Sequence, residues 1–219
     1  MKLQAVLFDM DGVLTDSVPL HYRAWHRMFT AHGYAFDQET YREKVDGKPR
    51  LTGIRSVAPE ASPEELERMA AEKQALFLEA VASGTVETFR DAFELLEALK
   101  AAGVKAAVAS SSRNAGALLK QLGVYERFDA VVTGNDITTG KPDPEIFLKA
   151  AAELGVPSDR AVVLEDAIEG VHAGLAAGML TIGIARHGNE AQLSHAHLVL
   201  RDLGELTVEG LERLLQERK

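Results

Sequence analysis

Short, mostly apolar runs recur along the chain, each bounded by polar residues, glycine or proline. They cover residues 3–8, 104–109, 130–132, 161–164 and 180–184. Runs of this length are typical of strands that are buried on both faces, as in a parallel sheet. The pattern therefore predicts five buried strands.

Between these runs, apolar residues repeat with a helical period in residues 92–101, 115–122 and 145–154. Strands that alternate with helices indicate a parallel sheet covered by helices on both faces. We predict an α/β fold with a Rossmann-like, doubly wound parallel sheet. Such sheets bind ligands at the carboxyl ends of their strands, so polar residues that follow the strands are the first candidates for chemistry.

Residues 17–84 interrupt the alternation, because they carry helical patterns and no convincing strand. One helix is predicted over residues 20–31. A second begins after Ser62, which is followed by Pro63 and, three residues after the cap, by Glu65. This spacing is the signature of a capping box with proline at the first helical position.

The position of this helical stretch predicts the domain organisation. We expect a helical cap domain at 17–84, inserted into an α/β core domain that is formed by 1–16 and 85–219. The two connections, near Ser17 and near residues 84–85, are the predicted hinges of the cap.

Composition and charge exclude several classes of partner and of site. The 219 residues include 33 acidic and 24 basic ones, a formal net charge of -9, and no basic run that could follow a nucleic-acid backbone. The absence of cysteine excludes a disulfide framework, a zinc finger and a cysteine nucleophile. Because the chain shows neither a signal sequence nor an apolar run long enough to span a membrane, we expect a soluble, cytoplasmic protein.

Two carboxylates follow the first predicted strand, in Asp9-Met10-Asp11-Gly12. In an extended segment, residues two apart point to the same side, so Asp9 and Asp11 would project into one crevice. Like charges this close destabilise the fold unless a proton or a cation is shared between them, and Mg²⁺ would relieve the repulsion. Taken alone, a polar turn after the strand is an equally good interpretation of this segment.

Further polar groups follow the other predicted strands. Ser110-Ser111-Ser112 suits an anion, although such a cluster more often caps a helix. Glu165 and Asp166 bring the strand-end carboxylates to four, which favours a hard cation such as Mg²⁺; capping of the next helix by Asp166 is the alternative. Lys141 lies in a loop, where a single lysine is more often a solvated surface charge.

As a set, these strand-end groups resemble the four motifs of the haloacid dehalogenase superfamily of phosphotransferases. Residues 9–14 (Asp-Met-Asp-Gly-Val-Leu) resemble the first motif, Ser110 the second, Lys141 the third and Glu165-Asp166 the fourth. The resemblance covers essentially the whole chain, including the helical insertion after the first motif.

The resemblance implies a role for each motif residue. Asp9 would attack phosphorus and carry the phosphoryl group, and Asp11 would act as general acid and base. Ser110 and Lys141 would hold phosphoryl oxygens. The implied Mg²⁺ ligands are Asp9, the backbone carbonyl of Asp11, Glu165 and Asp166.

Within the superfamily, the helical insertion resembles that of the β-phosphoglucomutase-like subfamily. The resemblance implies that His21 helps to control Asp11 and that Arg50 binds the phosphate that is not transferred. The full set of implied substrate contacts is Ser17, His21, Trp25, Gly47, Arg50, Ser111, Arg113 and Asn114. On their own, His21 and Trp25 also fit the inner face of a helix.

One departure from the subfamily lies beside this arginine. Where the subfamily usually has serine, this chain has Pro49, preceded by Lys48. Either one phosphate or sugar contact is lost, or Lys48 replaces it. Taken alone, Arg50 is also compatible with a solvated side chain beside a turn.

Three hypotheses follow. The first is a β-phosphoglucomutase-like enzyme that interconverts glucose 1-phosphate and glucose 6-phosphate through a bisphosphate. The second is a phosphatase that acts on a sugar phosphate or phosphoglycolate and uses water as acceptor. A binding protein without catalysis is disfavoured because every motif residue is present. We expect a small phosphorylated substrate, first of all a hexose phosphate, and a monomeric protein.

Overall fold

The computed structural model describes residues 2–84 and 86–218. Its strands form one parallel sheet in the order β3-β2-β1-β4-β5-β6. They are β1 (Ala5–Phe8), β2 (Lys105–Ser110), β3 (Ala130–Thr133), β4 (Ala161–Glu165), β5 (Leu180–Ile184) and β6 (Leu198–Leu200). The predicted α/β fold with a doubly wound parallel sheet is confirmed.

Helices cover the sheet and fill the insertion. They are α1 (Val18–Ala31), α2 (Gln38–Lys44), α3 (Arg50–Val57), α4 (Pro63–Ser83), α5 (Arg90–Ala101), α6 (Ala115–Gln121), α7 (Glu145–Leu154), α8 (Ile168–Ala176) and α9 (Val208–Glu217). Short 3-10 helices lie at Tyr125–Arg127 and Ser158–Arg160. Across residues 2–84 and 86–218, every helix is too short or too polar to cross a membrane.

The two faces of the sheet bury alternate residues of each strand. In β1, Val6 and Phe8 belong to one hydrophobic cluster, whereas Ala5 and Leu7 belong to another on the opposite face. All four are fully buried. Burial on both faces explains why the strands read as apolar runs in the sequence.

The strand order places a topological switch beside β1. The chain proceeds from β1 through β2 to β3 on one side, and from β4 through β5 to β6 on the other. β1 pairs with both β2 and β4, in register so that Phe8 lies opposite Val108 and Leu164. Doubly wound sheets bind ligands at such a point, so the residues after β1 and β4 occupy the expected place for a site.

The insertion is helical, as predicted, and has its own hydrophobic cluster. Trp25, Phe29, Ile54 and Met69 belong to this cluster, which draws its buried residues from α1 to α4 and their connections. The capping box of α4 forms with Ser62 as the N-cap. The division into a cap at 17–84 and a core at 1–16 and 85–219 stays a prediction, and the expected hinge residue 85 lies outside the described residues.

Candidate active site

Three buried carboxylates meet at the switch point. Asp9 directly follows β1, Glu165 ends the neighbouring strand β4, and Asp166 comes next. One side-chain oxygen from each lies within 4.8 Å of the others. The parallel pairing of β1 with β4 brings these residues together, although more than 150 positions separate them in the sequence.

Two glycines leave the space that these carboxylates occupy. A Cβ at position 12 would lie 2.5 Å from Cγ of Asp166, and one at position 170 would lie 2.5 Å from Cγ of Glu165. Gly12 also has a φ of 79°, in the left-handed region that favours glycine. The backbone therefore approaches both carboxylates more closely than any other residue type would allow.

Lys141 is the cation of this cluster. Its Nζ donates to Oδ1 of Asp9 at 2.5 Å and to Oε2 of Glu165 at 2.7 Å, and the residue is only 2% exposed. Burial alone would lower the pKa of Lys141, but the Asp9 and Glu165 carboxylates outweigh it and raise that pKa above its usual range. The lysine is therefore charged, and is not a solvated surface residue.

One lysine does not balance three carboxylates. Burial, followed by neighbouring negative charges, raises the pKa of Asp9 and of Asp166 well above the usual range. Asp166 makes no ion pair with Lys141, whose partners are Asp9 and Glu165. An oxygen-only donor set with excess negative charge suits a hard divalent cation, and the residues present fit one.

Asp11 lies outside this cluster and faces the helical insertion. Its Oδ1 accepts a hydrogen bond from the hydroxyl of Ser17 and lies 3.3 Å from Nε2 of His21. Burial would raise the pKa of Asp11, but His21 and Ser17 outweigh burial and hold that pKa below its usual value. Asp11 is thus kept as a carboxylate, held by groups from the start of the insertion.

Lys73 is a site residue that the sequence analysis missed. Its Nζ lies 2.9 Å from Nδ1 of His21 and 4.9 Å from the ring centres of both Trp25 and Phe77. Burial, and then the charge of Arg50, lower the pKa of Lys73 to about 7. A signal was present in the sequence, because Lys73 lies on the apolar stripe of α4 where a leucine or methionine would be expected.

Lys73 also affects the pKa of His21. Burial and the neighbouring Lys73 lower the pKa of His21. Nδ1 of His21 faces Nζ of Lys73, and Nε2 lies 3.3 Å from Oδ1 of Asp11. Asp11 is therefore held by the hydroxyl of Ser17, with the imidazole of His21 beside it and Lys73 behind the imidazole.

Gln74, the next residue of α4, is a second missed residue. Its side-chain amide exchanges two hydrogen bonds with that of Asn114, at 2.8 Å and 3.1 Å. The Arg50 guanidinium donates to the same Gln74 oxygen and to the backbone carbonyl of Ala70. The predicted residues Arg50 and Asn114 are thus brought together, and the link between them is an amide that no motif marked.

Asp46 is a third missed residue, and it faces the carboxylate cluster from the insertion. Burial raises the pKa of Asp46 to about 7. Together with Asp166 and Tyr41, it lines a cavity of about 300 Å³ between α1, α2 and the loop after β5. The sequence segment that contains Arg50 also contains Asp46, but nothing in its spacing indicated that it points toward the cluster.

Two of the predicted substrate contacts, Trp25 and Ser17, are buried in the structure. Trp25 is 4% exposed and stacks on Phe29 inside the cluster of the insertion, as the inner-face interpretation expects; its contact with substrate stays a prediction. Ser17 is fully buried and is hydrogen-bonded to Asp11 and Thr15; its contact with substrate stays a prediction.

The remaining predicted residues lie around the end of β2 and beside α8. Ser110 is buried, and its hydroxyl accepts from the amide of Ser112. The hydroxyl of Ser111 is buried and has no hydrogen-bond partner within the part of the chain that the structure describes. Arg113 is exposed. Gly47 packs against the residue after Asp166, where a Cβ would meet Ala167 at 3.0 Å.

Comparison with known proteins identifies the family. A family model described as haloacid dehalogenase-like hydrolase matches residues 3–178. The chain belongs to this family. The resemblance to this superfamily is therefore confirmed, and the chain is placed among enzymes.

Individual relatives show which members of this family the chain resembles. A β-phosphoglucomutase of Mycobacterium tuberculosis is 35% identical, over 94% of this chain and 92% of its own length. A phosphorylated carbohydrates phosphatase of Thermotoga maritima is 32% identical, over 87% of this chain and 89% of its own. The crystal structure of a Clostridium difficile β-phosphoglucomutase matches with a TM-score of 0.88 at 29% identity, covering 99% of this chain and 98% of that one. The resemblance to the β-phosphoglucomutase-like subfamily is confirmed.

Proposed function

We propose that the chain is a Mg²⁺-dependent phosphotransferase of β-phosphoglucomutase type, which converts glucose 1-phosphate to glucose 6-phosphate through a bisphosphate. The observation that carries this proposal is a second group of cations, contributed by the insertion and by the segment after β2. Burial and then the charge of Arg113 lower the pKa of Arg50, and burial and then the charge of Arg50 lower that of Lys73. The guanidinium of Arg50 donates to Gln74 and to the backbone carbonyl of Ala70, and neither of these partners is a carboxylate. A second phosphate group is the ligand that such a region suits.

The transfer itself is assigned to Asp9 and Asp11. A carboxylate oxygen of Asp9 attacks phosphorus and the bond from phosphorus to the leaving oxygen breaks. That oxygen takes from Asp11 the proton that Asp11 received from the acceptor hydroxyl in the other half of the cycle. In the second half, the acceptor hydroxyl gives its proton to Asp11 and attacks phosphorus, which releases the Asp9 carboxylate. The lowered pKa of Asp11 favours the carboxylate form that accepts this proton.

Lys141 and the metal ligands neutralise charge during the transfer. The side chains of Asp9, Glu165 and Asp166 would hold Mg²⁺, with the backbone carbonyl of Asp11 as the further ligand implied by the family. When bound, Mg²⁺ would withdraw negative charge from the phosphoryl oxygens. Lys141 already lies against Asp9, so its charge is in place before a substrate binds. Ser110 is proposed to bind a phosphoryl oxygen.

The helical cap is proposed to select the acceptor. In this proposal residues 17–84 cover the core, and Arg50, Gln74 and Asn114 place the non-transferred phosphate so that a sugar hydroxyl faces Asp9. A hexose phosphate has the required groups, because it carries a phosphate and a hydroxyl at opposite ends of a ring. We further propose that the protein acts as a monomer in the cytoplasm.

A phosphatase is the second candidate, and it is favoured by the similarity to the Thermotoga maritima phosphatase. It would use the same core residues and transfer the phosphoryl group to water. The two candidates differ at the cap, because hydrolysis of a simple phosphate monoester does not need a site for a second phosphate.

Phosphorus NMR separates the two candidates. Purified protein is given Mg²⁺, β-glucose 1-phosphate and a trace of the 1,6-bisphosphate, and glucose 6-phosphate and free phosphate are followed in one sample. We expect glucose 6-phosphate with little free phosphate, and no turnover in Asp9→Asn. Free phosphate alone would replace the mutase with the phosphatase.

A matched pair of arginine variants tests the cap. Arg50→Ala should reduce mutase turnover by roughly 100-fold or more, as expected when a buried charged contact to substrate is lost, and should leave hydrolysis of an aryl phosphate nearly unchanged. Arg55→Ala, in the same helix but exposed, is the control and should behave as the wild type. Equal loss of both activities in Arg50→Ala would contradict a site for the second phosphate.

A further inference from the structure

The segment Gly47-Lys48-Pro49, between α2 and α3, touches two parts of the sheet region: the loop that contains Gly140 and the start of α8. Lys48 is the first of these contacts. Its Nζ lies 3.3 Å from Oε1 of Glu169, and each side chain of this ion pair is 17% exposed. Its further hydrogen bond is to the backbone carbonyl of Glu43 within the insertion. Lys48 is therefore engaged with the first turn of α8 in the substrate-free protein.

Pro49 makes the second contact, with the backbone at Gly140. A Cβ at position 140 would lie 2.9 Å from Cδ of Pro49 and closer still to its Cγ, but 3.4 Å from its Cβ. The proline ring thus fits only because position 140 has no side chain. Gly47 makes the third contact, against Ala167.

Each of the three contacts falls beside a catalytic group. Gly140 directly precedes Lys141, Ala167 directly follows Asp166, and Glu169 lies in the helix that begins just after the carboxylate pair. If the insertion moves away from the sheet, the segments that carry Lys141 and the metal ligands Glu165 and Asp166 therefore lose these contacts.

We propose that Gly47-Lys48-Pro49 is a latch that holds the insertion closed over Asp9 and so excludes water as the phosphoryl acceptor. This inference rests on the proposed function, because it explains how transfer to a sugar prevails over transfer to water. A closed site keeps bulk water from a reactive phosphoryl group. In this chain the departure from the subfamily at Lys48 and Pro49 serves closure and does not serve substrate binding.

The decisive variants are Gly140→Ala and the double variant Gly140→Ala/Pro49→Ala. The first places a methyl group where the proline ring lies, so it disfavours closure. The second removes Cγ and Cδ of Pro49 and leaves a Cβ at an ordinary contact distance of 3.4 Å, so it should restore closure. Gly116→Ala is the control, because a Cβ there would meet only the ring of Tyr125, at 3.7 Å.

The first readout is the ratio of glucose 6-phosphate to free phosphate formed from β-glucose 1-phosphate. If the closed fraction falls tenfold, this ratio falls about tenfold in Gly140→Ala. It should return to within about twofold of the wild type in the double variant and be unchanged in Gly116→Ala. A loss in Gly140→Ala that Pro49→Ala does not reverse would overturn the latch and assign the loss to the Lys141 loop.

The second readout does not depend on mutase activity. Amide hydrogen exchange of residues 45–53 in the resting protein should be faster in Gly140→Ala and return to the wild-type rate in the double variant. Unchanged exchange in Gly140→Ala would overturn the latch. If exchange is faster in Gly140→Ala and restored in the double variant, but the wild type releases only free phosphate, the closing contact stands, whereas the mutase and the exclusion of water are refuted. The two failures are therefore distinguishable.

Discussion

Replacing Asp166 by asparagine should make the metal-free protein more stable. Three buried carboxylates share one lysine, and Lys141 bonds Asp9 and Glu165 but not Asp166. Asp166 is therefore the charge that lacks a counter-ion when no metal is bound. Asp166→Asn keeps the shape of the side chain and removes that charge.

The magnitude follows from the separations. The ligand oxygens lie within 4.8 Å of one another, and at an effective dielectric constant of about 20 two unit charges at that distance repel by roughly 3 kcal/mol. Partial protonation of Asp9 and Asp166, whose pKa values are raised, already relieves part of this repulsion. We expect Asp166→Asn to raise the free energy of unfolding by roughly 1–3 kcal/mol at about pH 8.

The raised pKa values also determine how the free energy of unfolding changes with pH. Because the pKa of Asp9 and of Asp166 is higher in the folded than in the unfolded chain, the folded protein binds more protons. Their contribution is most favourable below about pH 4, the usual value of an unfolded aspartate, and is lost as the pH rises through the raised folded values. The metal-free wild type should therefore lose stability toward pH 8, and Asp166→Asn should lose less.

Urea unfolding with a chelator and with excess Mg²⁺ measures these effects, at about pH 5 and about pH 8. Mg²⁺ should stabilise the wild type strongly and the variant weakly. Asp159→Asn makes the same chemical change at an exposed position and should alter neither value. If Asp166→Asn were less stable than the wild type in chelator, or gained as much from Mg²⁺, the account of an uncompensated carboxylate cluster would be wrong.

Two further predictions concern packing. Trp25→Ala should lower the free energy of unfolding by about 3–5 kcal/mol, because a ring that is 4% exposed leaves a cavity against Phe29; a thermal melt shows this, and a normal melt with a raised KM would instead make Trp25 a substrate contact. Gly170→Ala should weaken Mg²⁺ binding by roughly tenfold or more, because its Cβ displaces Glu165; titration against the Gly116→Ala control measures the change, and an unaltered affinity would contradict the close approach at Gly170.

Much of the α/β fold could be predicted from local patterns. The five predicted strands agree with β1 to β5 to within about two residues at each end, because strands buried on both faces carry continuous apolar runs. The helix Glu145–Leu154 was predicted with the same bounds. β6 was missed, since its three residues are only half-buried at the edge of the sheet and follow a histidine.

The helical insertion was predicted less completely. Its first and last helices follow from periodicity and from the capping box at Ser62. The short helices Gln38–Lys44 and Arg50–Val57 carry too few turns for a periodic signal and were not predicted separately. Their packing on the long helices, and not their own sequence, fixes where they lie.

The sequence by itself determined which groups follow the strands, because Asp9 and Glu165 come directly after apolar runs, Lys141 lies in the loop after another, and together they form a recognisable order. Only the tertiary structure decided which side chains of the insertion lie at the site. Lys73 and Gln74 reach the site from a helix whose pattern predicts only a buried face, and Trp25 turns into the core instead. Periodicity reports which face of an element is buried, whereas contacts between distant elements depend on how those faces pack together.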